Sequence, residues 1–274
     1  MNSESRGVVF TDLDGTLFGP RRDPIVAGSN PVRILADDEV AATDAQGSPI
    51  AWRTATQRAF FERLMLIGDV VAVTGRSVGA FGRVRLPLAR RAVVHHGAVI
   101  LGPEGRDFAD ATRQLLIESH DVIAAAAATV DEWIARDPTL KKTTQVVEGL
   151  LVEVCVKQRA AEVDRGTRAG GDLPRIADDI EAAWRTLPCV RVHRNGNNLA
   201  LLPGAATKER AVRFLRERVY NDVPLVLGVG DSSSDYGFMA ACDFALVPTG
   251  SQLDAIVRAA TMVRAAMSEG AQRG

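Results

Sequence analysis

The sequence predicts an α/β protein: a doubly wound parallel sheet built from both ends of the chain, with an α+β module inserted between them. Three observations carry this. Near the N-terminus, short β-rich apolar runs at 7–13 and 69–73 flank an amphipathic helical pattern opened by Thr54. Strands separated by a helix imply a parallel pair joined by a crossover. The same rhythm returns from Lys208 onward, while residues 77–196 mix helices with hairpin-like strand pairs.

Each element follows from its residues. Residues 7–13 (GVVFTDL) read as a buried strand closed by Gly15. Residues 19–34, with their Gly, Pro, Asn and Ser, read as a loop, and 39–52 (EVAATDAQGSPIAW) as a hairpin turning at 44–47. Thr54 caps a helix with Gln57 at the capping-box position. Phe60, Phe61, Leu64 and Met65 form its apolar face, and Gly68 ends it. Residues 69–73 (DVVAV) form a second buried strand, followed by Thr74-Gly75-Arg76. A long helix is expected within 110–136, and two strands about Glu148-Gly149 within 145–157. A helix over 174–187 follows a polar loop at 166–172 and is flanked by strands at 190–194 and 199–202. Then come a helix at 208–219, a strand at 224–229, a helix at 233–241, a strand at 243–247 and a last helix from near Ser251. The implied division is a core of 1–79 and 197–274 with a cap over 80–196.

Composition narrows the function. The 274 residues are 46% hydrophobic and 24% charged, which is ordinary for a soluble globular chain and enough for two domains. Lys and Arg number 33 against 34 Asp and Glu, so charge makes no case for nucleic acid or an anionic membrane. No apolar run approaches the roughly 20 residues that cross a bilayer. Asp12 and Asp14 interrupt the N-terminal apolar run too early for a signal peptide. Cys155, Cys189 and Cys242 lack metal or paired spacing and read as free thiols of a reducing cytosol. The expected partner is a small molecule, the expected location cytoplasmic, and the oligomeric state is open.

The chemistry lies at strand ends. Asp12 and Asp14 end the first strand, Thr74 ends the second, and Asp231 follows the strand at 224–229. Lys208 opens the returning helix. In open parallel sheets the ligand crevice lies beyond the carboxyl ends of the strands, so these groups converge on one edge. A carboxylate there can attack phosphorus to form an acyl phosphate. Asp14, expected on the same side as Asp12 by strand alternation, can protonate a leaving group and then activate water. Asp12 with Asp231 suits a hard, oxygen-loving ion, Mg²⁺ by preference. Lys208 would neutralise phosphoryl charge, and the Thr74 hydroxyl with nearby backbone N–H groups, including Gly75, would bind its oxygens.

DLDGT at 12–16, TGR at 74–76, Lys208 and GDSSSD at 230–235 resemble, in order and spacing, the four motifs of the haloacid dehalogenase superfamily. The resemblance implies a Rossmann-like core with Asp12 as nucleophile and Asp14 as general acid/base. It also implies Thr74 and Lys208 on the phosphoryl group, and Mg²⁺ held by Asp12, Asp231 and the backbone carbonyl of Asp14, with Asp235 supporting the metal's waters. A cap inserted after the second motif resembles the type II group, which includes Cof-like sugar phosphatases and the sucrose- and trehalose-phosphate phosphatases. HHGA at 95–98 sits where many of them have a segment ending in NGA, and 198–208 resembles their return strand into the lysine helix. Ser234 replaces the usual Asn and Glu209 the usual Gly, and the 19–52 insertion lengthens the first crossover.

The resulting expectation is a Mg²⁺-dependent phosphatase acting on a small phosphate ester, a sugar phosphate first. A phosphomutase using the same intermediate is the enzymatic alternative; a phospho-acceptor signalling domain or a binding protein is the non-enzymatic one. Arg76, His95, His96, Arg194, Asn197 and Asn198 are the candidate substrate contacts. Adjacent histidines on a strand face opposite ways. No Cys or carboxylate cluster accompanies His95, His96 and His193, so they read as structural or substrate contacts rather than metal ligands.

Overall fold

The computed structural model describes residues 7–20, 38–103, 105–107, 110–158, 176–195 and 198–271. The chain begins with β1 (Gly7–Thr11), the hairpin β2 (Glu39–Thr43) and β3 (Pro49–Arg53), α1 (Ala55–Ile67), β4 (Gly68–Val73) and the single-turn α2 (Val78–Phe81). It continues through β5 (Ala92–Val94), β6 (Val99–Gly102), β7 (Gly105–Asp107), α3 (Asp110–Arg136), β8 (Leu140–Val147), β9 (Leu150–Gln158) and α4 (Ile176–Arg185). It ends with β10 (Val190–Asn195), β11 (Asn198–Pro203), α5 (Lys208–Arg218), β12 (Val226–Val229), α6 (Tyr236–Met239), β13 (Phe244–Leu246) and α7 (Gln252–Ala271).

Among the described residues two main sheets organise these elements, and the β2–β3 hairpin forms a separate two-stranded sheet. The larger has the order β13-β12-β1-β4-β5-β6-β7. From β13 to β5 every pairing is parallel. The β5–β6 and β6–β7 pairings are antiparallel. β1 is buried on both faces, as a central parallel strand requires. Val8 and Phe10 pack with Val71, Val212 and Leu215 on the α5 side, and Val9 packs with Leu64 and Val70 on the α1 side. Each such side chain contributes on the order of 1.5–3 kcal/mol by leaving water. The smaller sheet, β10-β11-β9-β8, is antiparallel. One of its faces packs Leu140, Val154, Val156, Leu199 and Leu201 against Ile123, Val130, Ile180 and Trp184 of α3 and α4.

Local signals operate as the sequence predicts. Thr54 Oγ1 accepts from Gln57 N–H at 3.2 Å while Thr54 N–H donates to Gln57 Oε1 at 3.0 Å, the reciprocal cap that starts α1. Asp44 Oδ1 accepts from Gln46 and Ser48 N–H and turns the β2–β3 hairpin. The hairpin is tied to the core through Gly19 and Trp52, which exchange N–H···O bonds at 3.0 and 2.8 Å.

Sheet membership departs from the expected boundaries. Residues 92–107, expected in the cap, extend the larger sheet, because the AVV run of β5 pairs in parallel with β4 and a hairpin returns beside it. Residues 198–203, expected in the core, form a central strand of the smaller sheet. The helix expected over 233–241 shortens to Tyr236–Met239, because Asp235 Oδ2 accepts from Ser232 N–H and holds 232–235 in a turn. The loop expected at 166–172 and most of that at 19–34 lie outside the described residues. No described helix is long and apolar enough to cross a membrane.

Candidate active site

The larger sheet changes winding direction at β1, with β4 on one side and β12 on the other. The crevice beyond the carboxyl ends of these strands is where an open α/β sheet presents a ligand. Asp12 follows β1, and its N–H donates to Val229 O of β12 at 2.8 Å, so its place is set by the sheet itself. The chain then turns sharply: Thr16, Leu17 and Phe18 N–H all return to Leu13 O. Gly15 makes the turn at φ +92°, and a Cβ there would lie 2.3 Å from Asp231 Oδ2. Glycine is required on both counts.

Lys208 sits between two acids. Its Nζ donates to Asp12 Oδ1 at 2.7 Å and to Asp235 Oδ1 at 2.6 Å. Asp12 and Lys208 are each 6% exposed and Asp235 is fully buried. Asp235 Oδ2 accepts from the Ser232 N–H and hydroxyl, and Asp231 Oδ1 accepts from Thr16 Oγ1 at 3.3 Å. Burial pushes the Asp12 carboxyl up, to about 7; Lys208 opposes the shift, and Asp235 and Asp231 add to it. Asp231 is raised by burial and by Asp235. Burial alone would lower the Lys208 ammonium, but Asp12 and Asp235 outweigh it and hold it above its ordinary value.

Among the described residues, Asp12, Asp231 and Asp235 bring carboxylate oxygens within 4.8 Å of one another. Three acids against one ammonium leave excess negative charge in a largely buried site. All-oxygen donors at this spacing suit Mg²⁺, so the residues fit the ion. The Asp14 carboxylate stands apart from this group. It receives Arg76 in a fork, Nε–Oδ2 2.6 Å and Nη2–Oδ1 2.7 Å, and the guanidinium lies 5.1 Å from the Phe18 ring centroid. Strand alternation does not carry past Thr11, where β1 ends, and the two carboxylates therefore take different partners. Arg76, expected on the substrate, is engaged by Asp14 instead.

Thr74 is 1% exposed, and its Oγ1 accepts from Arg76 N–H at 3.1 Å. That bond uses a hydroxyl lone pair and not the hydroxyl proton. The next turn is built by the histidines, which are not on a strand. His95 and His96 have φ of 50° and 58°, and residues 95–97 make a 3₁₀ turn. His95, expected as a substrate contact, is 2% exposed; its N–H donates to Arg76 O and its Nε2 accepts from Val78 N–H, bracing the 74–78 loop from behind. The His96 ring covers Gly75, where a Cβ would lie 2.4 Å from its Cε1. Gly97, at φ +104°, abuts Thr207 and the Lys208 N–H so closely that a Cβ would lie 2.2 Å from Thr207 O.

The smaller sheet reaches the site through β10. Arg191 donates to Ala206 O from Nε (3.1 Å) and Nη2 (2.8 Å) and to His96 O at 3.3 Å. His193 places its ring 5.0 Å from that of His96. Arg194, expected on the substrate, lies on the opposite face and pairs with Asp178 at 2.6 Å and Glu181 at 2.9 Å of α4. Asn198 begins β11 half-buried; Asn197 lies outside the described residues. Sequence reading placed Arg191 only within a polar run, 191–198, of candidate substrate contacts, and missed Thr16 and Ser232 as individual contributors. The signal for Arg191 was the alternation of the VRVHR run, which puts it on the face of His193.

No protein-family model and no curated protein matches the sequence. Solved structures do match in fold. A trehalose-6-phosphate phosphatase related protein has 20% identity over 88% of this chain and 84% of its own, with a TM-score of 0.52. The sucrose-phosphatase of Synechocystis sp., solved with sucrose and phosphate, has 17% identity over 94% and 97%, with a TM-score of 0.52. A haloacid dehalogenase-like hydrolase from B. subtilis has 13% identity over 90% of each chain, with a TM-score of 0.50. The chain thus has the fold of the haloacid dehalogenase-like hydrolases, with sucrose- and trehalose-phosphate phosphatases among its structural relatives.

Proposed function

We propose that this chain is a Mg²⁺-dependent phosphatase of the haloacid dehalogenase type, acting on a sugar phosphate through an aspartyl-phosphate intermediate. The carrying observation is the buried Asp12 carboxylate, set at the switch point of the sheet and held by Lys208 beside Asp231 and Asp235. Two structural relatives are named for sugar phosphates, which supports that substrate class. Residues 110–203, which include the smaller sheet, act as the cap.

In this reading Asp12 attacks phosphorus, forming the acyl phosphate while the ester P–O bond breaks. Asp14 protonates the departing oxygen, then takes a proton from the water that cleaves the acyl phosphate. Lys208 and the Thr74 hydroxyl, with the Gly75 N–H, bind the phosphoryl oxygens. Asp12, Asp231 and the Asp14 carbonyl would hold Mg²⁺, supported by Asp235, and the bound ion would neutralise charge on the phosphoryl group. Arg76 orients Asp14 through the fork, which one Asp14 oxygen leaves when it carries the transferred proton, and so acts as a positioning residue.

Two outcomes test this. Phosphate release from a panel of sugar phosphates is expected to need Mg²⁺ and to stop in excess chelator. Ca²⁺ should support it poorly, because its larger, looser shell misaligns in-line attack. Full activity in chelator would reject the metal assignment. Arg76→Ala is expected to lower kcat on sugar phosphates by roughly 10- to 100-fold, a part of what acid/base help supplies. The loss should be much smaller on acetyl phosphate, whose leaving group needs little protonation. Equal losses on both substrates would remove Arg76 from the proton-transfer step.

A further inference from the structure

Two imidazoles meet where the smaller sheet touches the core, and neither belongs to the machinery assigned above. His96 lies on the core side, with its ring over Gly75. His193 lies on β10, with its ring tilted 54° to that of His96 at 5.0 Å. Alternation and register put His193 on the same sheet face as Arg191, opposite Ala200, with Asn198 two residues along β11. This is the face turned away from α3 and α4, since Val190 and Val192 pack with the helices. Arg191 fixes the juxtaposition by directing its donors at the main-chain carbonyls of Ala206 and His96. Both imidazoles feel the charge of Lys208, and His193 also that of Asp235. The pair therefore stands over Gly75, in the loop that would carry the phosphoryl group, and within electrostatic reach of Lys208.

We propose that His96 and His193 form a specificity-determining pair, one from the core and one from the cap, that binds the hydroxyl groups of an uncharged polyol or sugar leaving group next to the phosphoester. This rests on the phosphatase reading above. Two features support it. Burial lowers both imidazoles below their ordinary value, followed for His96 by the facing His193 and for His193 by the Arg191 and Lys208 cations, so the neutral form is favoured in each. A neutral imidazole offers one donor and one acceptor, which matches a hydroxyl group. It offers no charge to a second phosphate or a carboxylate, and the guanidinium at this junction is committed to carbonyls.

The test compares purified wild-type protein with His193→Ala, His193→Gln and His96→Asn, each assayed on the best hexose monophosphate of a panel and on acetyl phosphate, which has no polyol. Asn tolerates the left-handed backbone that His96 adopts at φ 58°, so that variant removes the ring and keeps the turn. For the hexose phosphate, His193→Ala and His96→Asn should each lower kcat/KM by roughly 10-fold or more, as expected when one buried hydrogen bond is lost. His193→Gln, which keeps a donor and an acceptor, should recover part of it. Because the rings act as a pair, the double variant should lose less than the product of the single losses. Acetyl phosphate turnover should change by less than about 3-fold, within the spread of a surface change. Equal losses on both substrates, or no loss on the hexose phosphate, would overturn the pair's role while leaving the phosphatase reading in place. A wild-type protein inert to every ester would overturn that reading, and this inference with it.

Discussion

Asp12→Asn is expected to end phosphate release, by about 10⁴-fold or more as for other nucleophile deletions, and in chelator to melt at a higher temperature than wild type at pH 8. The first effect is chemical: an amide of the same size cannot attack phosphorus. The second follows from the site's charge. Asp12, Asp231 and Asp235 crowd three carboxylates against the Lys208 ammonium, and burial raises the Asp12 carboxyl to about 7 from an ordinary 3.8. A folded value above the unfolded one means that, between the two, the unfolded chain holds fewer protons than the native one. Stability therefore falls as pH rises from about 4 through 7 and levels off beyond. Asn removes that penalty, and its amide oxygen still accepts from Lys208. The melting-temperature gain should be absent below pH 4, grow across that window and hold at pH 8. Added Mg²⁺ should raise wild type more than the variant, because only the native carboxylate site binds it fully. Near-normal turnover in the variant would show that Asp12 is not the nucleophile, and melting below wild type at pH 8 in chelator would show that it is not the destabilising acid of the cluster.

What could be read from the sequence was local or sequential. β1, α1 with its Thr54–Gln57 cap, β4, and the β8–β9 turn at Glu148-Gly149 each carry their signal within a few residues. The site acids were legible for a topological reason: each follows a strand whose carboxyl end opens on one crevice, so order along the chain foretold proximity. What failed to show was long-range choice of partner. Asp14 and Arg76 are 62 residues apart, Arg191 and His96 are 95 apart, and no local pattern tells a guanidinium which carboxylate or carbonyl it will meet. Arg194 illustrates the difficulty. It adjoins His193, yet the pleat of β10 sends it to Asp178 and Glu181 on α4. The turn at 95–97 was hidden differently. Two histidines at positive φ replace the glycine or asparagine that usually marks such a turn, so the segment read as strand. β5 has three residues, too few for periodicity, and its membership in the larger sheet is decided by its pairing with β4.

Lys208→Met should give the other large effect, a loss of about 10²- to 10³-fold in kcat/KM, the range for removing one preorganised donor to a developing oxyanion. Met approximates the volume of the side chain and removes only its charge. Lys208 is the sole ammonium among the described residues recorded in contact with Asp12 or Asp235, and all three side chains are nearly inaccessible. Taking one partner from a buried ion pair costs about 3–5 kcal/mol, because the charges left behind stay buried without their counterion. The variant should therefore also unfold more easily in chelator. The pH dependence has a definite sign. The Lys208 ammonium is held above its ordinary 10.5, so its contribution is complete at any pH below that value and disappears only as pH rises past the folded one. At pH 8 the full deficit should appear. Acidification to pH 5 should narrow it, since the raised Asp12 carboxyl then takes a proton and no longer needs the ammonium. Mg²⁺ should narrow it too, by placing positive charge among the same acids, and the melting-temperature rise on adding Mg²⁺ should be larger in the variant than in wild type. Restored stability in Mg²⁺ would not restore turnover, because a thioether cannot donate to phosphoryl oxygen. Denaturant melts in chelator and in Mg²⁺, at pH 5 and pH 8, with kcat/KM measured alongside, separate the two roles. Unchanged stability at pH 8 in chelator would show that Asp12 and Asp235 do not depend on Lys208, and near-normal kcat/KM would remove Lys208 from the phosphoryl site.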